Sequence, residues 1–439
     1  MRQNAKNNIL TGSLWTGILF FAIPMAMTNI LQQLFNSVDV AVVGRFCGSR
    51  ALAAVGSTGT IVNLYITIFS GLAVGVNVVF SRMIGEGDER GLREKIPGAL
   101  MVSASSGFLF LLIGVIFSKP LLTVMGTPED ILDKAIVYLR IYMLGSVFRM
   151  VYQFGAAILR ARGDTRRPMI CLTATGVLNV FLNLFFVLAM SMEVSGVAIA
   201  TVISDAVSML LLLWLISKDY PGMQWGKGTD RNLLTSILHN GVPAAVQGML
   251  FNVANIIIQT GINSLGSTAV AASTVALNLE VFTYYMIMGF ANASMTWNSQ
   301  NAGAGNYIRC RKATGCSLIL GAVCTYLMCG SFAIFRVPLT GLYTADAAVI
   351  ALAAHRILIL QSLEGINMCT EIFASAIRGL GKPFLPTIMA VIFTCGFRIV
   401  WMIGVFPHWQ VYDALIAIYP LTWAATALAV AIAYFRIRP

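Results

Sequence analysis

Residues 81–88 read SRMIGEGD, and residues 299–306, which begin 218 positions later, read SQNAGAGN. Four more pairs of residues align at the same offset: Pro120 with Pro338, Arg160 with Arg378, Gly163 with Gly381, and Pro168 with Pro386. These matches fall in separate connections between apolar segments, so one constant offset is hard to obtain by chance. The sequence therefore indicates an internal duplication.

The composition indicates an integral membrane protein. The 439-residue chain is 58% hydrophobic and 11% charged, with a mean hydropathy of +0.80, whereas soluble domains contain about 25% charged residues. A helix needs about 20 apolar residues to cross the hydrocarbon core. Six uncharged runs exceed that length: Leu14–Val38, Ala51–Ser81, Ile96–Ser118, Pro168–Met192, Asn240–Leu279 and Ala313–Phe335.

The apolar segments predict twelve transmembrane helices, at residues 14–43, 51–81, 92–118, 130–159, 166–191, 194–217, 237–264, 269–300, 310–335, 347–377, 383–406 and 413–435. Six helices per copy return the chain to its starting side, so the two copies have the same orientation, related by an axis along the membrane normal. We predict an all-α polytopic membrane protein of two six-helix bundles, residues 1–216 and 233–439, joined by a cytoplasmic linker at 217–232. Two such bundles are typical of alternating-access transporters.

The basic residues predict the orientation in the membrane. With the N-terminus inside, the outer segments hold only five of the 29 Lys and Arg residues: Arg45, Arg50, Lys119, Lys134 and Arg336. Because basic residues accumulate in cytoplasmic loops, we expect a multi-pass membrane protein with both termini in the cytoplasm. The same placement accounts for the net charge of +11 without a nucleic-acid partner.

Motifs for other functions are absent or weak. The eight cysteines include no CxxC pair, so they are interpreted as small apolar residues, not as a zinc site or a disulfide framework. His408 and Asp413 have an HxxxxD spacing, but they lie in an outer loop without a supporting motif, and no HExxH, GxSxG or phosphate-loop motif occurs. We therefore expect neither an enzyme nor a cofactor, and a bound sodium ion only if sodium drives transport.

One acidic residue stands at the end of the first apolar segment, in LFNSVDVAVVG (residues 34–44). Asp39 would lie in the outer half of the first helix, where an unpaired charge costs at least about 2.5–3.5 kcal/mol. At a similar depth the fifth and sixth helices carry Asn179, Asn183 and Thr201. One carboxylate with amide and hydroxyl oxygens suits a monovalent cation or a proton, although a structural hydrogen bond between helices is the alternative.

The duplication provides an internal control for this site. At the offset of 218, Asn179 corresponds to Phe397 and Asn183 to Trp401. The polar residues therefore occur only in the first copy. A purely architectural role would be expected in both copies, so the asymmetry favours a binding site.

Several motifs together resemble those of the MATE (multidrug and toxic compound extrusion) transporters. They are Asp39 followed by VVG and ALAAVG, then LRARGDTRRP after helix four, LNVFLN in helix five, GVAIATVISD in helix six and QNAGAGN after helix eight. The resemblance covers essentially the whole chain. It implies export of amphipathic, mostly cationic compounds, driven by sodium or protons, by a protein that we expect to be a monomer in contact with membrane lipid.

The resemblance also implies roles for individual residues. It places a cation site on Asp39, Asn179, Asn183 and Thr201, which would be the ligands of a sodium ion if sodium is the coupling ion. Some members have a second aspartate where this chain has Asn183, and Asp205, one turn beyond Thr201, is a candidate replacement. Helix seven lacks the acid that the sodium-coupled branch often has, which weakens the case for a second cation site.

Candidate residues for a substrate cavity are Gln33, Asn36, Glu280, Met286, Glu364 and Glu371. For the acids, an ion pair inside the bundle, such as Arg356 with one of them, is an equal alternative. For Met286, ordinary packing is the alternative. A flippase-like exporter of a lipid-linked or amphipathic metabolite is the second functional hypothesis, disfavoured because acids are interleaved with the few arginines in the helices.

Overall fold

The computed structural model describes residues 9–223 and 230–437, which contain helices and turns but no strand. Fifteen α-helices are present in these ranges: α1 (Leu14–Val42), α2 (Ser49–Glu86), α3 (Glu89–Val124), α4 (Glu129–Leu144), α5 (Ser146–Ala161), α6 (Arg166–Leu184), α7 (Glu193–Asp219), α8 (Arg231–Ser264), α9 (Ser267–Gly303), α10 (Tyr307–Ile334), α11 (Arg336–Gly341), α12 (Ala347–Gly379), α13 (Phe384–Ala390), α14 (Phe397–Gly404) and α15 (Tyr412–Arg436). Three π-helical segments extend or join them, at Val43–Cys47, Phe185–Ala189 and Val391–Gly396.

Eleven continuous helical segments of the described ranges are long and apolar enough to cross a membrane. The remaining predicted helix, the fourth at 130–159, is formed by α4 and α5, which are interrupted at Gly145. The Gly145 amide donates to the Tyr142 carbonyl at 3.1 Å, so the chain tightens locally into a three-residue turn. The prediction of an all-α, twelve-helix membrane protein is confirmed, with its fourth helix broken and the short α11 added.

The duplicated connections adopt the same backbone geometry. Gly87 and Gly305 end α2 and α9 with φ of 73° and 70°, a left-handed conformation that glycine adopts without strain. Asp88 and Asn306 then cap the next helices by accepting from the backbone amides three residues on, at 2.8 and 3.1 Å. Two further aligned glycine pairs also have positive φ: Gly48 with Gly266, and Gly163 with Gly381.

The chain forms two compact units. The N-terminal unit is Met27–Gly241, and the C-terminal unit is the chain up to Ala26 together with Val242 onward. The units divide within α1 and α8. The predicted linker at 217–232, of which 224–229 lie outside the described residues, stays a prediction.

The N-terminal parts of α1 and α8 each pack closely against a neighbouring helix of the same unit. In the C-terminal unit a Cβ added to Gly289 of α9 would lie 2.5 Å from the Ala22 carbonyl oxygen of α1. In the N-terminal unit a Cβ added to Gly75 of α2 would lie 2.2 Å from the Ile237 carbonyl oxygen of α8. Small residues permit this backbone approach between membrane helices.

Candidate functional site

The four residues of the predicted cation site come together in the N-terminal unit. The Asn183 side-chain amide donates to Asp39 Oδ1 at 2.5 Å and to Asn179 Oδ1 at 3.1 Å. Asn179 Nδ2 in turn lies 3.5 Å from Thr201 Oγ1. Side chains of α1, α6 and α7 therefore form one continuous polar chain inside an apolar unit.

Local structure explains why these side chains meet. Asn179 and Asn183 are four residues apart on α6, so they share one face of the helix. One turn earlier, a Cβ added to Gly176 would lie 2.0 Å from the Phe35 ring, so the glycine leaves room for this ring of α1 against α6. The π-helical segment Phe185–Ala189 begins immediately after α6, and such segments often occur at functional sites.

The cluster contains an acceptor without a donor. Asn183 is fully buried, and its Oδ1 atom has no hydrogen-bond partner among the described residues. An unsatisfied buried amide oxygen is costly. A bound cation or a proton donor would satisfy the Asn183 oxygen. The carboxylate, amide and hydroxyl oxygens of this site are also suited to a cation.

Asp205 has a partner that the sequence did not reveal. Arg149 of α5 donates from Nη2 to Asp205 Oδ2 at 2.7 Å, and its Nη1 donates to the Tyr142 hydroxyl. Asp205 also lies against the helix break, because a Cβ added to Gly145 would be 3.3 Å from its Oδ2 atom. The Arg149–Asp205 ion pair is neutral overall. It therefore adds no net charge near the Asp39 cluster, which consists of Asp39, Asn179, Asn183 and Thr201. A role for Asp205 in the cation site itself stays a prediction.

The predicted cavity acids occupy different environments in the C-terminal unit. Arg356 binds Glu280 through Nε and Nη2, both at 2.9 Å, which is the ion pair considered as the alternative. Glu364 accepts from Asn367 Nδ2 at 2.8 Å, and Glu371 lies on the same helix. Both glutamates are buried, and neither forms an ion pair with any described residue.

The other predicted cavity residues lie on α1 and α9. Met286 packs at the edge of an apolar core that includes Ile18 and Phe21. Gln33 is half-buried and Asn36 is exposed on α1. The assignment of these three residues to a substrate cavity stays a prediction.

Comparison with known proteins decides the family. A sequence model of the MatE family matches residues 24–185 and again residues 243–402. The chain belongs to the MatE family. The predicted resemblance is thereby confirmed, and this MatE protein is a polytopic membrane transporter of the multidrug efflux family, whose members are transporters and not enzymes.

Relatives of this MatE protein carry transporter names. It is 25% identical to the probable multidrug resistance protein YoeA of Bacillus subtilis, over 86% of this chain and 84% of the relative. It is also 25% identical to a protein of Shewanella oneidensis named FAD transporter (86% and 85% covered) and to the probable multidrug resistance protein NorM of Thermotoga maritima (85% and 82%).

Solved structures share the MatE fold. A MOP superfamily transporter from Pyrococcus furiosus superposes with a TM-score of 0.89 at 20% identity, covering 99% of this chain and 98% of that one. The Vibrio cholerae MATE transporter VcmN in its bent form superposes with a TM-score of 0.88 at 22% identity, covering 96% of each chain.

The sequence did not identify the partner of Asp205 or the surroundings of Arg398. Arg149 and Arg398 are two of the few arginines that lie within the predicted helices. The available signal was that charged residues in membrane helices pair with one another, which predicts a partner for Asp205 without identifying it. Arg398 of α14 is 3% exposed and has no acidic partner among the described residues.

Proposed function

We propose that the protein is a cation-coupled antiporter that exports amphipathic organic compounds by alternating access. The observation that carries the proposal is the Asp39 cluster, where a carboxylate, two buried amides and a hydroxyl meet in one unit. A carboxylate in an apolar helix marks an ion pathway by default. The corresponding positions of the second copy, Phe397 and Trp401, carry no such groups.

The coupling ion is a sodium ion or a proton, and the same residues serve either. A sodium ion would be held by oxygens of Asp39, Asn179, Asn183 and Thr201, a set of hard ligands. A proton would bind Asp39, and rotation of the Asn183 amide would then offer its oxygen as acceptor. In both cases the ion satisfies the unpaired Asn183 Oδ1.

The proposed substrates are amphipathic compounds, mostly cations. The buried acid Glu364 supports a cationic substrate most directly, since no described cation pairs with it, whereas the charge of Arg378 acts on Glu371. Relatives named as multidrug resistance proteins support the same class. A relative named FAD transporter supports the second hypothesis, export of an amphipathic metabolite.

We further propose that the protein is a monomer of the bacterial cytoplasmic membrane with both termini cytoplasmic. The distribution of basic residues supports this orientation. The N-terminal Arg2 and Lys6, as well as Lys227 and Arg438, lie outside the described residues, and their contribution rests on the sequence alone.

The test is gradient-driven export of a fluorescent cation from proteoliposomes. Wild type and Asp39→Asn are compared under an imposed sodium gradient and, separately, under an imposed pH gradient. We expect one gradient to drive the wild type, which identifies the ion, and Asp39→Asn to lose concentrative export, because it cannot exchange charge at the site. Normal gradient-driven export by Asp39→Asn would refute the proposal.

A further inference from the structure

Arg398 is a buried cation in the C-terminal unit whose charge is not balanced locally. It is 3% exposed, and its one hydrogen bond runs from Nη1 to the Asn255 side-chain oxygen at 2.7 Å. Its Nε atom is buried and has no partner, and no described Asp or Glu forms an ion pair with it. A neutral amide therefore is the only hydrogen-bond acceptor for this guanidinium within the described residues.

Arg356, which lies near the same tyrosine ring, has the carboxylate partner that Arg398 lacks. The guanidinium groups of Arg398 and Arg356 lie 4.7 and 5.4 Å from the centre of the same Tyr419 ring. Arg356 presents its Nε–Nη2 edge to Glu280, which binds it with two 2.9 Å hydrogen bonds. The group of four side chains thus contains two cations and one anion, and its net charge of about +1 resides on Arg398.

The Nε–Nη2 edge of Arg398 has no hydrogen-bond partner among the described residues, and it is the edge with which Arg356 binds Glu280. Nη1 of Arg398 is occupied by Asn255, so Nε and Nη2 remain for an incoming group. This edge matches the two oxygens of a carboxylate or phosphate. The π-helical segment Val391–Gly396 ends directly before α14, and π segments are frequent at functional sites.

Burying an unpaired charge is costly in a protein interior, and in a membrane helix such a charge marks a functional site by default. The Tyr419 ring face and the Asn255 oxygen offset part of that cost. Asn255 itself is exposed on α8, which places the guanidinium one side chain below an accessible surface. An anionic ligand would supply the missing charge.

We propose that Arg398, together with Asn255 and Tyr419, binds the carboxylate or phosphate group of an amphiphilic ligand. Resting on the proposed transport function, this makes zwitterions and amphipathic anions substrates in addition to cations. Because Arg398 is almost fully buried in this structure, the ligand binds in a conformation of the transport cycle that exposes the Nε–Nη2 edge while Asn255 stays on Nη1. The anionic group then occupies the edge that Glu280 occupies on Arg356.

A matched pair of dyes tests the proposal: a rhodamine ethyl ester, which is a cation, and its free acid, which adds a carboxylate. Binding of both dyes to purified protein is measured by fluorescence anisotropy. We expect the wild type to bind the acid, and Arg398→Gln to weaken acid binding about tenfold relative to ester binding, since a charge-assisted hydrogen bond is lost. Arg398→Lys keeps the charge but lacks the planar guanidinium group. Its affinity for the acid relative to the ester is expected to lie between those of the wild type and Arg398→Gln.

The ratio of acid to ester affinity is compared within each variant, so a general loss of active protein does not imitate the effect. Arg140→Gln is the matched control, because Arg140 is exposed and donates to the Ser118 hydroxyl at 3.0 Å. An unchanged ratio in both Arg398 variants, or a wild type that does not bind the acid, would overturn the proposal. If Arg398→Gln does not fold, the ratio of acid to ester affinity in Arg398→Lys, compared with that of the wild type, still tests the proposal.

Two further measurements separate the possible outcomes. Binding of the acid is repeated in vesicles with and without phosphatidylglycerol: competition by this lipid assigns the site to a lipid phosphate, and its absence assigns it to the transported compound. Gradient-driven export of the ester by wild type and Asp39→Asn tests the antiport proposal without involving Arg398. Failure of coupling and failure of the anion site therefore give different results.

Discussion

Asp39 carries the charge of the candidate site, and neutral side chains hold it in place. Asn183 bridges Asp39 and Asn179 with one amide group, while its oxygen remains without a donor. A charge-assisted hydrogen bond of this kind stabilises the ionised carboxylate and fixes its orientation. The neutral side chains thus orient the Asp39 carboxylate without cancelling its charge.

Asn183→Ala removes both the donor to Asp39 and the unpaired oxygen. If sodium is the coupling ion, the variant loses an oxygen ligand, and the sodium concentration that half-activates export is expected to rise about tenfold, a loss of about 1.4 kcal/mol. If the proton is the coupling ion, the variant loses the donor that stabilises ionised Asp39, and the proton concentration that half-activates export is expected to fall. The measurement is export from proteoliposomes as a function of sodium concentration and pH.

The control is Asn298→Ala, another fully buried asparagine, which donates to Thr314 Oγ1 at 2.9 Å in the C-terminal unit. This variant is expected to lose stability but to keep the ion dependence of the wild type. An Asn183→Ala protein that also keeps the wild-type ion dependence would remove Asn183 from the site.

The sequence predicted that the four residues around Asp39 lie together, but it did not identify the partner of Asp205. Asp39, Asn179, Asn183 and Thr201 could be grouped because depth along neighbouring helices is readable from the sequence. The partner of Asp205, Arg149, lies 56 positions away on a helix whose rotation depends on the break at Gly145. Helix rotation is set by packing, so a sequence pattern does not determine which charges face one another.

At the scale of helices, close crossings depend on glycine. Gly75 of α2 faces the backbone of α8 and Gly289 of α9 faces that of α1, each at distances that leave no room for a methyl group. Membrane helices gain most of their association energy from such packing. These crossings hold the N-terminal parts of α1 and α8 within their respective units.

Gly75→Ala is expected to destabilise the protein by about 1–3 kcal/mol or more, because its Cβ would lie 2.2 Å from the Ile237 oxygen and a backbone atom cannot rotate away. The matched control is Gly59→Ala in the same helix, where no atom lies within 4 Å. Alanine there is expected to be neutral or to stabilise by up to about 1 kcal/mol. Thermal unfolding in detergent measures both, and equal midpoints for the two variants would contradict the packing account.

Helix positions were largely predictable from the sequence, and their interruptions were not. The predicted span 413–435 is found as Tyr412–Arg436, and the predicted 269–300 as Ser267–Gly303. Hydrophobic runs bounded by glycine and charge define such limits well. The break at Gly145 and the π-helical segments leave no such signal, because a local change in hydrogen bonding does not alter the apolar pattern.

At the scale of the whole molecule, one duplicated scaffold carries two different sets of charges. The turns at Gly87 and Gly305 are nearly identical, and one family model matches both halves. The N-terminal unit holds a carboxylate among amides, whereas the C-terminal unit holds Arg398 near a neutralised Glu280–Arg356 pair. Duplication therefore preserved the turns, and the interior polar residues diverged.

The proposed orientation predicts which connections face outward. In a variant with the eight native cysteines replaced, Asp130→Cys and Arg90→Cys each introduce one exposed thiol, in α4 and α3. A membrane-impermeant maleimide is expected to label Asp130→Cys in intact cells and Arg90→Cys only after permeabilisation. Labelling of Arg90→Cys in intact cells would reverse the proposed topology.

The central claim is that Asp39 holds the coupling ion, and the most direct measurement is ion release on substrate binding. Purified protein in weak buffer is titrated with tetraphenylphosphonium while proton release and displacement of radioactive sodium are followed together. Wild type is predicted to release one of the two ions as substrate binds, and Asp39→Asn to bind substrate without release. Equal ion release by Asp39→Asn and wild type would contradict the account and place the coupling ion at another residue.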